Sequence, residues 1–231
     1  TRSVLSSARR ADDADRPTVM LLTRTNSQLR QVSKTLRNGG IPFDILGSQR
    51  SLWAYGELGE LLAFLNEFPN ATAYDARQLK HVISLLPSSA VGDLDVSSKL
   101  GQTIESDAVH AALDRFESPE AIVPRLTIDD WKKDALKAAV EAPANLEPED
   151  VQIGTIHTAK GLEAPSVYLF EQSSERINEQ YERDDDAAAE EHRVWYVGVT
   201  RASEELTIVD GFLNGPTAPP VKALRLSGVT A

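Results

Sequence analysis

The apolar run Thr18-Val-Met-Leu-Leu-Thr23 is short and unbroken, the pattern of a strand buried on both faces. Thr25-Asn-Ser-Gln28 follows as a capping box, in which hydroxyl and amide each satisfy an otherwise free backbone N–H. Leu29, Val32 and Leu36 then fall on one helical face, and Gly39-Gly40 predicts the helix end. A second strand is predicted over Phe43–Leu46. Strand, helix and strand joined by short connections make one βαβ unit, which calls for a parallel sheet. Leu58, Leu61, Leu62, Leu65 and Phe68 keep the i, i+3, i+4, i+7 spacing of an amphipathic helix.

The pattern changes over residues 70–148. Short helices are predicted at 72–86, about 106–117 and about 127–141, divided by Pro and Gly, with no strand alternation. Strand signals return at Val151–Thr155, Ser166–Phe170 and Leu206–Val209, with a helix predicted over 186–200. The expected fold is an α/β domain with a parallel sheet flanked by helices and a helical insertion. Its divisions are a flexible segment at 1–16, a discontinuous α/β domain at 17–69 and 149–211, the insertion at 70–148, and a tail at 212–231.

Composition narrows the chemistry. The 231 residues include 24 Lys plus Arg against 35 Asp plus Glu, a net charge of −11. Bulk charge of that sign opposes nucleic-acid binding, so any such contact needs a local site. There is no cysteine, which removes disulfides and thiol chemistry. The four His residues (His81, His110, His157, His192) fit no metal-ligand spacing, and no metal site is expected. No apolar run approaches the roughly 20 residues that span a bilayer, and no signal peptide is visible. The expectation is a soluble, cytoplasmic protein without a membrane partner.

Three segments are more polar than a βαβ core requires. Leu22-Thr-Arg-Thr-Asn26 places Arg24 where a strand meets a helix N-terminus, a place where open α/β sheets bind ligands. Val151–Glu163 carries Thr155, His157, Thr158, Lys160, Gly161 and Glu163 after a strand, a set suited to phosphate and sugar contacts. Glu190–Ala202 is a predicted helix ending in Thr200-Arg201. Taken singly, each has a plainer role: a loop arginine, a structural histidine, a solvated Glu190-Glu191 face, and an Arg201 that complements a helix C-terminus.

Together, TRTN at 23–26, GTIHTAKGLE at 154–163 and EEHRVWYVGVTRA at 190–202 resemble, in order and spacing, motifs IV, V and VI of the UvrD/Rep/PcrA helicases of superfamily 1. The resemblance covers about half the chain, over 18–70 and 150–212. It implies a second RecA-like motor domain, with 70–148 at the position of the 2B subdomain. It also implies that Arg24 and Arg201 reach the γ-phosphate of ATP as catalytic arginines, and that Gly161 and Glu163 approach the nucleotide. Thr155, His157, Thr158 and Lys160 would contact single-stranded DNA or couple it to the ATP cleft. The implied partners are single-stranded DNA and the first RecA-like domain of the same parent chain. The implied cofactors are ATP and Mg2+, with the Mg2+ ligands outside this chain.

The match has departures. Thr23 stands where the family often carries an adenine-stacking Tyr, Ala164 where an aromatic commonly follows the glutamate, and His192 where the first Arg of an E-E-R-R run is usual. No G-x-x-x-x-G-K-[ST] phosphate loop occurs, nor an apolar strand ending in Asp-Glu. The expectation is therefore the C-terminal motor half of a UvrD-type helicase or translocase, inactive without the first domain. The alternative is a non-catalytic RecA-like module that binds DNA, or a helicase or nuclease partner.

Overall fold

The computed structural model describes residues 19–47, 53, 56–114, 116–141 and 146–226. The expectation for 1–16 lies outside them. The described residues divide into two compact units, one of 19–36, 43–47 and 146–226, the other of 37–42, 53, 56–114 and 116–141.

The first unit is built on a five-stranded sheet in the order β2-β5-β1-β6-β7. Its strands are β1 (Val19–Thr23), β2 (Asp44–Ile45), β5 (Val151–Thr155), β6 (Ala164–Phe170) and β7 (Ala202–Val209), and every pairing is parallel. Central β1 pairs on both sides, Leu22 lying opposite Gly154 and Leu169. All five of its residues are buried, as its unbroken apolar run requires.

Alternation along the strands sorts side chains between two layers. Met20 and Leu22 of β1 and Val167 and Leu169 of β6 form a core with Val194 and Trp195 of α8 (Asp185–Val199). Helix α1 (Asn26–Asn38) buries Leu29, Val32 and Leu36. The capping box at its start is formed: the Thr25 N–H donates to Gln28 Oε1 at 3.0 Å, and the Gln28 N–H to Thr25 Oγ1 at 3.3 Å. Past its end Gly40 takes φ +64, the left-handed geometry of a helix stop.

Two elements of this unit differ from the sequence expectation. Residues 175–183, which the hydrophobic pattern left unassigned, form α7 (Glu175–Arg183), capped by Ser174 Oγ accepting from the Ile177 N–H. The stretch expected as an aperiodic tail contains α9 (Pro219–Leu226). Its Pro-Pro start reads as a breaker, yet proline fits a first helical turn, where its missing N–H breaks no bond. Ala218 and Val221 enter the sheet core, and the Ala218 N–H donates to the Glu171 carbonyl at 2.9 Å.

The second unit holds α2 (Glu57–Glu67), α3 (Ala76–Ser84), α4 (Ser106–Ala112), α5 (Pro119–Ile122) and α6 (Asp130–Val140). Here α2, assigned by sequence order to the α/β domain, packs with α3 and α6. The absence of strands expected over 70–148 is corrected: β3 (Ala73–Asp75) and β4 (Thr103–Glu105) pair antiparallel. Each strand has three residues and buries only its middle one, Tyr74 or Ile104. Alternation over three positions is too short to register as a pattern.

Candidate functional site

At the carboxyl end of β1 the backbone passes through Thr23 into Arg24 and the capping box. Thr23 is fully buried, its hydroxyl donating to the Thr25 carbonyl at 3.2 Å. Arg24 turns to α8. Its Nε donates to Glu191 Oε2 at 3.0 Å and Oε1 at 3.2 Å, and its Nη2 closes a bidentate ion pair on the same carboxylate. The pair is largely withdrawn from water, with side-chain exposures of 15% and 8%.

Position 191 was legible as a solvated face only when read alone. Glu191, Val194, Trp195 and Gly198 are the buried residues of α8 and keep i, i+3, i+4, i+7 spacing, so the apolar stripe itself places 191 inward. Glu190 is exposed, one step off that stripe. Asp184 caps the helix, accepting from the Asp186 N–H at 2.9 Å.

The turn after β5 is closed by its own hydroxyls. The Thr155 N–H donates to Thr158 Oγ1 at 3.0 Å, the Thr158 N–H to Thr155 Oγ1 at 3.3 Å, and Thr158 Oγ1 to the Thr155 carbonyl at 2.9 Å. These bonds fix the turn that displays His157, Lys160, Gly161 and Glu163, all exposed. Gly161 has φ +85 and open space where a side chain would stand, so a ligand can approach its backbone. Beside the turn lies a cleft of about 250 Å³, with Ile156, Val194 and Val197 as its apolar lining and His157, Lys160, Arg193 and Glu190 as its polar lining. Arg193 was not among the residues singled out from the sequence. Its clue was its place in the charged Glu190–Arg193 run.

Arg201 occupies the other end of the sheet, just before β7. Its Nε donates to the Val197 carbonyl, its Nη1 to the Leu162 carbonyl and its Nη2 to Thr200 Oγ1, each at 2.9 Å. Its own carbonyl accepts from the Ala164 N–H at 3.0 Å. Arg201 thus both complements the C-terminus of α8 and ties it to the turn holding Gly161 and Glu163. The structure joins Arg201 to that turn and Arg24 to Glu191, and the turn itself meets the end of β1 where the Ile156 N–H donates to the Thr23 carbonyl at 2.9 Å. Among the described residues no cluster of three or more His, Asp or Glu is placed to hold a metal ion. Nor is any helix there long and apolar enough to cross a membrane.

A parallel sheet flanked by helices, with polar turns at the ends of β1 and β5 and an arginine-terminated helix packed on it, has the RecA-like α/β architecture. Residues 125–210 match the family model of the UvrD-like helicase C-terminal domain, and the chain carries a UvrD-like helicase C-terminal region. It is similar to the ATP-dependent DNA helicase Rep of Escherichia coli strain K12, 44% identical over 61 residues, which is 26% of this chain and 9% of that protein. The Rep of Buchnera aphidicola subsp. Acyrthosiphon pisum is 35% identical over 96 residues, 40% of this chain and 14% of the relative. The ATP-dependent DNA helicase PcrA of Staphylococcus epidermidis is 22% identical over 263 aligned residues, 82% of this chain and 36% of the relative. The chain therefore spans well under half the length of each of these relatives. Glu163 and Arg201 lie inside the family match, and Arg24 lies before it.

Proposed function

We propose that this chain is the second motor half of an ATP-dependent DNA helicase or translocase of the UvrD type. The observation that carries the reading is the lock between Arg201 and the Leu162 carbonyl, which builds the GTIHTAKGLE and EEHRVWYVGVTRA segments into one unit. In this reading Arg24 and Arg201 stabilise charge on the phosphoryl group being transferred, a role worth about 10³–10⁵ in rate where arginine fingers are known. Gly161 offers open backbone and Glu163 an exposed carboxylate to the nucleotide. Lys160 and His157, displayed by the Thr155–Thr158 turn, take phosphates of the single strand. ATP and Mg2+ would be held chiefly by the first RecA-like domain of a full-length parent, a cytoplasmic protein. Magnesium would supply charge neutralisation on the phosphates.

The test is ATP turnover by the parent and by this chain alone, each with and without single-stranded DNA. Strand-stimulated turnover by the parent and none by the chain is the expected result. Turnover by the chain at the parent's rate overturns the assignment of a half-motor. A parent that ignores DNA supports the non-catalytic module instead.

A further inference from the structure

The Arg24–Glu191 pair makes a more specific statement about the site, and it rests on the reading that Arg24 meets a phosphate. A guanidinium carries five donors in a fixed planar fork. Glu191 takes the Nε and Nη2 edge of Arg24, and the Nη1 group makes no hydrogen bond among the described residues. One edge is gripped and another is left to donate. The grip is rigid because Glu191 shares the inward face of α8 with Val194, Trp195 and Gly198. Gly198 sits so close to the sheet that an added Cβ would lie 3.2 Å from Leu169 and 3.4 Å from Ile156. Close packing fixes the helix, and burial keeps the carboxylate at its inward face.

We propose that Glu191 is the positioning residue of Arg24, holding one edge of its guanidinium so that the Nη1 edge faces an incoming phosphoryl oxygen. The same helix runs on from Glu191 for eight residues, about 12 Å, to Val199, and Arg201 follows just past its Thr200 cap. One rigid rod thereby indexes both arginines: Arg24 through its carboxylate, Arg201 through its own C-terminus. A guanidinium freed from its carboxylate samples many rotamers, and misplacement of a positioning group by about 1 Å costs up to about 10²-fold in rate.

The experiment uses the full-length parent and four variants: Arg24→Ala, Glu191→Gln, Glu191→Ala and the double variant Arg24→Ala/Glu191→Ala. Each is assayed for kcat and KM of single-strand-stimulated ATP turnover, with thermal unfolding run alongside. Glu191→Gln keeps the side chain's shape and stays informative if Glu191→Ala fails to fold. The expected result is a kcat lowered about tenfold or more by Glu191→Gln, with KM for ATP changed less than about threefold. The double variant is expected to match Arg24→Ala within about twofold, because the carboxylate acts only through that arginine. A purely structural role would lower the unfolding temperature and leave kcat per folded molecule unchanged, and that result overturns the proposal. So does a double variant in which the two losses multiply. An impaired Arg24→Ala beside an unaffected Glu191→Gln removes this inference alone. An unaffected Arg24→Ala removes the phosphate role of Arg24 as well.

Discussion

Gly154 shows how little slack surrounds the candidate site. A Cβ built there would stand 2.7 Å from Thr158 Oγ1 and 2.9 Å from Leu46 Cβ. The threonine hydroxyl closes the turn after β5, and Leu46 belongs to the sheet core, so neither can retreat freely. Gly154→Ala is therefore expected to destabilise the protein by about 1–3 kcal/mol, the range of overpacking substitutions. Denaturant unfolding measures it directly, and a stability within about 0.5 kcal/mol of wild type would show that the turn yields. At this scale most site residues could be named from the sequence, but not their bonds. The two threonines read as candidate DNA contacts, and their hydroxyls also close the turn, each accepting from the other's backbone N–H. Glu191 was the reverse case: its charge suggested solvent while its place on the apolar stripe of α8 put it inside.

Among the elements, those with long periodic signals were legible. The capping box at Thr25–Gln28, the buried run of β1, the stripes of α1 and α2 and the span of α8 stand where the sequence puts them, within a few residues. What escaped was short or carried misleading punctuation. The pair β3–β4 joins strands about thirty residues apart by tertiary pairing that no local window contains. Helix α9 starts with two prolines, and its docking depends on Glu171 and Ser173, whose backbones pair with Ala218 and Pro216. In the second unit, β3 hands directly to α3 through Asp75, whose side chain accepts from the Arg77 N–H at 2.9 Å and the Gln78 N–H at 3.0 Å. Removing that cap in Asp75→Ala should cost about 1 kcal/mol. Native-state hydrogen exchange would detect it as faster exchange at the first turn of α3, and unchanged protection there would show that water replaces the carboxylate.

For the molecule as a whole, fold and site read differently. The parallel sheet followed from βαβ spacing alone, because short connections between buried strands leave few alternatives. The proposed motor role rests on three polar segments that together resemble the UvrD/Rep/PcrA motifs. The structure holds those segments together through two arginines with different anchors, one on a buried carboxylate and one on backbone carbonyls. Against the net charge of −11, Lys160 and Arg193 bring two cations to one cleft, beside His157 and Glu190. A single strand bound there would be held by few phosphates, with a correspondingly shallow salt dependence.

In the proposed motor, Arg201, just past the end of α8, acts on the phosphate of ATP. Single-strand-stimulated turnover by the full-length parent, compared with its Arg201→Ala variant at equal folded concentration, tests it most directly. A fall of about two orders of magnitude or more is expected. Turnover unchanged in a folded variant would contradict it, leaving Arg201 as the cap of α8 and nothing further.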